Sequence, residues 1–292
     1  MATVGRWIGR ILAGLVVLVA CALAIAWIVS VRVLGRTYER PAVTLTIPTD
    51  SGAIARGEHL ARLSCFGCHG DSLTGTVMFD VPIVARIVSP NVGTMLGRYT
   101  DAQLASLMRY GVRPDGTSPL LMPPMGFYHM SDTDLAALIG FLRSLHIPAS
   151  PTPLPTTRIG PMGRIGLATG QFNTAAMVID PTIPRVGADT ASAGSRQGEY
   201  LARMICAECH GAALTGGAGG PAPAPSLAQA HAYSLAEFTA LMHEGQPRDP
   251  ATKLPNMSEV AKVNLVHLTD EEVGALHAYL QQLPIGGVPA GR

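Results

Sequence analysis

Two pentapeptides carry the residues with the most legible chemistry: CFGCH, from Cys65 to His69, and CAECH, from Cys206 to His210. Two thiols separated by two residues and followed at once by an imidazole form the pattern of covalent haem attachment. On one helical turn both sulfurs reach the same porphyrin edge and can add to its two vinyl groups. The histidine is then held beneath the iron as its proximal ligand. The competing chemistry is a zinc knuckle or a redox dithiol. Against it, histidine directly follows the second cysteine in both copies, and no further cysteine pair completes a zinc site. The fifth cysteine, Cys21, lies in an apolar run, where it reads as an ordinary small apolar residue.

The second axial ligand decides what such an iron does. A thioether raises the reduction potential and closes the iron, whereas a small-molecule catalyst needs an open position. The stretch LMPPMGFYHM offers Met122, Met125 and Met130, and LPNMSEV offers Met257. Met130 stands where Leu268 stands in the second half, so it reads as packing. Met108 and Met242 occupy matching places in an expected helix and read as core. Met122 or Met125 remains for the first iron and Met257 for the second. His129 and His267 also match, two residues before a helix cap. Ligation by both would lower both potentials; otherwise they are polar loop residues. His59, His146, His231, His243 and His277 have no histidine at the corresponding place and read as structural or solvated. Tyr99 and Tyr233 recur, as packing or as contacts to a haem propionate.

The elements that must position these residues come as an internal repeat. GEHLARLSCFGCHGDSLTG, from Gly57, aligns with GEYLARMICAECHGAALTG, from Gly198, with 12 of 19 positions identical by direct count. YTDAQLASLMRYG from Tyr99 parallels YSLAEFTALMHEG from Tyr233, and SDTDLAALIGFLRSL from Ser131 parallels TDEEVGALHAYLQQL from Thr269. The order is the same in both halves, which makes this a duplicated domain. Each unit reads as mostly helical. One helix runs into the motif, a middle helix starts near Thr100 or Ser234, and a last helix starts at a capping box, Ser131 with Asp134 or Thr269 with Glu272. Gly- and Pro-rich loops join them, including the run 216–225. So small a unit with few aromatic residues has a thin core, and a buried haem supplies apolar volume. The expected organisation is an anchor over 1–40, a first domain over 41–148, a Pro/Gly-rich connector over 149–195 packed across both domains, and a second domain over 196–288.

Arg6 and Arg10 precede an apolar run from Ile11 to Val31, with Trp7 and Trp27 near its ends and Arg32, Arg36 and Arg40 beyond. Twenty-one residues at ~1.5 Å each cover about 30 Å, enough for a bilayer core. Ala24-Ile25-Ala26 resembles a signal cleavage site and Leu18-Val19-Ala20-Cys21 a lipobox, but the apolar run continues past both. A retained membrane helix is the expectation. Haem attachment takes place outside the bacterial cytoplasmic membrane, which puts the amino terminus in the cytoplasm and both units in the periplasm. A net charge of +1 without any basic run argues against nucleic acid as a partner.

The whole pattern from about Ala53 to Leu283 resembles class I cytochromes c, and more closely the membrane-attached multihaem cytochrome c subunits of bacterial periplasmic dehydrogenases. The resemblance rests on C-x-x-C-H, a Met-Pro loop and a last helix of the form [ST]-D-x-[DE]-[LV]-x-A-L-x-x-[FY]-L. It implies an all-α fold of two tandem class I cytochrome c domains behind one transmembrane helix, holding two covalent haem c groups. It also implies Met122, of Met122-Pro123, as the first distal ligand. Met257 departs from the pattern: it lies twelve residues before Thr269 and no proline follows. The expected cofactor-binding set is Cys65, Cys68, His69, Met122, Cys206, Cys209, His210 and Met257, with His69, Met122, His210 and Met257 on the two irons. The implied function is single-electron transfer between redox partners, with no substrate bond made or broken. A dehydrogenase, a quinol-oxidising complex, a reaction centre or an oxidase fits as partner. A dihaem enzyme, peroxidase-like or thiosulfate-oxidising, is the alternative; the latter would favour a cysteine ligand, and none lies free outside the anchor.

Overall fold

A computed structural model describes residues 2–39, 41–186, 195–217 and 223–285. Arg40, residues 218–222 of the 216–225 run, connector residues 187–194 and residues 286–288 of the expected second domain lie outside them. The chain begins with α1 (Ala2–Leu34), whose Leu, Ile and Val side chains are exposed along most of its length, as are Trp7 and Trp27. Among the described residues it is the one helix long and apolar enough to cross a membrane. At ~1.5 Å per residue it is about 50 Å long, so it extends beyond a hydrocarbon core of ~30 Å.

The first unit runs α2 (Ser51–Ser64), α3 (Phe66–His69), β1 (Thr76–Val81), β2 (Ala85–Ser89), α4 (Val92–Arg98), α5 (Asp101–Tyr110), α6 (Pro124–His129) and α7 (Asp132–Ser144). The connector adds β3 (Arg158–Ile159) and α8 (Pro161–Thr169). The second unit runs α9 (Ser195–Leu201), a π turn (Ala202–Cys206), α10 (Ala207–His210), a 3-10 turn (Leu227–Ala232), α11 (Leu235–Glu244), α12 (Pro255–Val263) and α13 (Asp270–Leu280). The fold is helical as expected, with one addition: β1, β2 and β3 form a small antiparallel sheet in that order.

Local chemistry sets the helix ends twice over. Thr100 with Gln103 and Ser234 with Glu237 make reciprocal capping boxes at α5 and α11. Both helices stop at a left-handed glycine, Gly111 (φ 62°) and Gly245 (φ 68°). Thr269 and Glu272 close the expected box at α13. At α7 only half of it forms: Ser131 Oγ accepts from the Asp134 N–H, while the Asp134 carboxylate is taken by Arg56 and Tyr200. Each motif-bearing helix crosses its unit's last helix at a glycine. A Cβ on Gly57 would overlap the Ala137 carbonyl oxygen, and one on Gly198 the Ala275 carbonyl oxygen. One apolar core runs through both units, with Leu60, Leu135, Leu138 and Ile139 fully buried in the first and Leu201, Val273 and Leu276 in the second.

Among the described residues, the connector makes no hydrogen bond to the second unit. Its described hydrogen bonds go to the first unit and to α1: Ala175 N donates to Pro119 O (2.8 Å), Tyr128 Oη to Ile183 O (2.6 Å) and Arg164 to Ser30. β3 extends the hairpin, and α8 packs on the C-terminal end of α1.

Candidate haem sites

The last four residues of each motif form a short helix, which Cys65 or Cys206 joins to the helical turn before it. Cys65 N donates to Ala61 O, and His69 N to Cys65 O. Gly70 (φ 79°) and Gly211 (φ 80°) then reverse the chain, and Leu73 (φ 56°) and Leu214 (φ 59°) repeat a left-handed conformation that leucine rarely adopts. The turn brings a carbonyl under each histidine: His69 Nδ1 lies 2.9 Å from Pro90 O, and His210 Nδ1 lies 2.8 Å from Pro225 O. With Nδ1–H donating to that carbonyl, Nε2 is the nitrogen left bare for a metal, and the ring's orientation is fixed. Burial pushes the His69 imidazole below its ordinary value, against the opposing pull of the Pro90 carbonyl. These prolines escaped the sequence reading. Their signal was Pro90-Asn91-Val92 against Pro225-Ser226-Leu227, a short echo with different spacing from its motif in each half.

The cysteines suit thioether formation better than thiolate chemistry. Burial pushes the thiols of Cys65 and Cys206 up to about 12, and those of Cys68 and Cys209 also rise. Reactive dithiols and zinc thiolates need the opposite shift. Among the described residues, no three His, Cys, Asp or Glu side chains converge as a metal cluster.

A cavity of about 720 Å³ opens beside the first motif, within the usual range of ~300–1,000 Å³ for ligand pockets. Cys65, Cys68 and His69 line it together with Met122, Leu104 and Phe127. Met125 does not line it; its backbone faces the Glu208 carboxylate instead. Met130 is fully buried in the core, and Met108 forms part of the cavity wall. In the second unit Met257 lies on α12, half-buried against the core that contains Met242. His129 stays outside the cavity lining, buried, with Nδ1 accepting from Val186 N (3.2 Å). Burial, with Arg203 and Arg185 nearby, lowers it to about 4. His267 is also lowered, by burial and by Arg62 and His59. His231, His243 and His277 each bond a backbone carbonyl, of Leu283, Leu268 and Tyr233.

The two units meet about a pseudo-two-fold axis that brings both motifs to one interface. His59 Nε2 lies 2.9 Å from Glu272 Oε2, and at the equivalent contact Tyr200 Oη donates to Asp134 Oδ2 (2.7 Å). The residue aligned with His59 is thus a tyrosine that reaches the same carboxylate position. Asn264 Nδ2 donates to Leu63 O (3.1 Å), while its counterpart Gly126 leaves room for Met204 O. The motif interiors follow suit. A Cβ on Gly67 would meet the Asn264 amide at 2.6 Å, and Glu208, aligned with Gly67, faces Met125. The Glu208 carboxylate acts on both Cys68 and Cys209, which puts the attachment turns within electrostatic reach of one another. Burial raises Glu208 to about 7. Burial would also raise Glu272, but His59, the Thr269 N–H and Arg56 outweigh it, so that carboxyl lies below its ordinary value.

The family model for cytochrome c matches this chain twice, over residues 54–146 and 195–284, once for each pentapeptide and its helices. The chain belongs to the cytochrome c family. Membership implies covalently bound haem c at the C-x-x-C-H turns, in agreement with the histidine geometry and the thiols above. Two curated relatives of this cytochrome are informative. The cytochrome c subunit of alcohol dehydrogenase (quinone) from Gluconobacter oxydans is 26% identical over 285 residues, covering 83% of this chain and 57% of its own length. The fructose dehydrogenase cytochrome subunit from Gluconobacter japonicus is 26% identical over 271 residues, covering 82% and 55%. This cytochrome therefore spans little more than half the length of those relatives. Both of those relatives are named as cytochrome subunits of dehydrogenases.

Proposed function

We propose that this cytochrome is a membrane-anchored dihaem carrier of single electrons, serving a dehydrogenase on the periplasmic side of a bacterial cytoplasmic membrane. The observation that carries this reading is the pseudo-two-fold interface, which sets two histidine-braced attachment turns back to back. Haem c bound at each turn supplies a one-electron Fe(III)/Fe(II) couple. Cys65, Cys68, Cys206 and Cys209 tether the porphyrins. His69 and His210 offer Nε2 to the irons, with Pro90 and Pro225 holding the rings. Met122 is the distal ligand in the first site, supported by its place on the cavity wall, and Met257 in the second. The largely apolar lining of the first cavity supports electron transfer over ligand chemistry. The exposed apolar surface of α1 supports a retained anchor, since its outer end packs on the folded connector rather than stopping at a cleavage or lipidation point.

The test has three readouts. Mass spectrometry of the purified chain should find two covalent haems; one haem defeats the duplication argument. Met122→His should abolish the Met–iron charge-transfer band of one haem and leave the other; an intact spectrum transfers the assignment to Met125. Persistent high-spin ferric iron with fast cyanide binding would favour the dihaem-enzyme reading.

A further inference from the structure

The wall of the first cavity is uneven in charge. Arg113, Arg158 and Arg164 line it, and no carboxylate does. A largely apolar cavity lined by guanidinium groups and by no carboxylate is matched to a flat apolar ligand carrying carboxylates of its own, although Arg113 has Asp115 near it outside the lining. Arg158 is exposed on β3, and Arg113 bonds Thr117 Oγ1 at 3.2 Å. Arg164 is held differently. Its guanidinium carbon sits 3.5 Å from the centroid of the Trp27 ring, and Nη1 donates to Ser30 Oγ at 2.8 Å. Ser30 is fully buried, and its own O–H donates to Trp27 O at 2.7 Å. Nε of Arg164 is buried with no hydrogen-bond partner. Leu34, on the last turn of the same helix, also lines the cavity. A stacked, hydrogen-bonded arginine has few positions open to it, so the outer end of α1 dictates where this charge stands.

We propose that the membrane anchor is a working part of the first haem site: Trp27 and Ser30 hold Arg164 as a positioning residue for a haem carboxylate, and through it the anchor tunes the potential of that haem alone. Arg158 completes the carboxylate clamp from the sheet. The proposal rests on the first site carrying haem, as argued above. A cation beside the propionates favours the reduced iron, so its removal favours the oxidised one.

The experiment is a spectroelectrochemical titration of the full-length holoprotein in detergent, after mass spectrometry has counted its haems. The first haem is identified as the wave that Met122→His displaces. At a fixed ambient potential, Arg164→Gln should lower the reduced-to-oxidised ratio of that haem roughly three- to tenfold, as expected for a charge acting at intermediate effective dielectric, and leave the second wave in place. Trp27→Leu, which keeps the charge and removes its support, should move the same wave in the same direction by a smaller factor. Should Arg164→Gln fail to accumulate, Arg158→Gln tests the clamp from the exposed side and should lower the same ratio. First-site haem present with an unmoved first wave in the arginine variants, or equal movement of both waves, overturns the clamp. An effect of the arginines without any effect of Trp27→Leu overturns the anchor's part in it. Loss of first-site haem from the unmodified chain defeats the underlying reading instead.

Discussion

Gly57 and Gly198 are where each unit is least forgiving. At both, the helix crossing is so close that a methyl group would overlap a carbonyl oxygen of the partner helix. Backbone cannot yield as a side-chain tip can, so Gly57→Ala should lower stability by about 1–3 kcal/mol. Gly274→Ala, on α13 with open space around it, should show no such loss; denaturant titration of the holoprotein compares the two. His129 gives a second prediction at this scale. Its Nδ1 must accept from Val186 N, and Arg203 and Arg185 face it. The neutral ring is the one the fold accommodates, with its value depressed from 6.5 to about 4. The unfolded chain therefore takes up this proton first. Stability should fall as pH drops from about 6.5 towards 4, and level off for this group below that. His129→Gln should flatten the pH dependence of the unfolding midpoint across that window; an unchanged slope would dismiss the histidine as its source. The residues proposed to carry haem chemistry stand out in the sequence because covalent attachment demands fixed types at fixed spacing. Pro90 and Pro225 were not, because a carbonyl acceptor places no demand on side-chain identity.

At the scale of elements, helices with paired signals at their ends could be read directly. The middle and last helices begin at Thr100, Ser234, Ser131 and Thr269, where a hydroxyl caps a backbone N–H. The sheet could not be read. β1 has no clean apolar alternation, and its register with β2 shifts between Val77 and Phe79. β3 is two residues long and is ordered by its neighbour rather than by its own sequence. The half-formed box at Ser131 has a different cause: the shorter Asp134 carboxylate is held by Arg56 of its own unit and by Tyr200 of the other, and no local pattern encodes those partners. The contact suggests a test. Tyr200→Phe removes a buried hydroxyl from Asp134 and should cost about 1–3 kcal/mol. The loss should appear as earlier separation of the two units in thermal unfolding followed at both haems; a single, unshifted transition would place the strength of the interface elsewhere.

For the whole molecule, the arrangement is an exposed apolar helix joined to two units by way of a connector that grips the first of them. α1 and α8 pack together, Tyr38 N donates to Gly116 O, and Tyr38 Oη meets Thr174 Oγ1. The first unit is thus the one fastened to α1, and the second is fastened to the first. Carbonate washing of membranes should leave the holoprotein in the pellet; release into the supernatant would mean that α1 has been removed. Duplication was plain from the sequence, since aligned segments recur in order. The way the copies face each other was not, because it depends on positions where the copies differ.

Those differences have a consequence for ancestry and exchange. At the interface one half offers His59, Asp134, Gly126 and Gly67, and the other offers Tyr200, Glu272, Asn264 and Glu208. An early single-unit protein could have docked on a twin of itself across a true two-fold axis. In the present chain each half has become the other's complement. A tandem of two first halves would set Gly126 against Leu63 twice and forgo the Asn264 bond; a tandem of two second halves would crowd Asn264 against Glu208 twice. Duplication began as copying and has ended as a division of labour written into the seam, so the halves are no longer interchangeable parts.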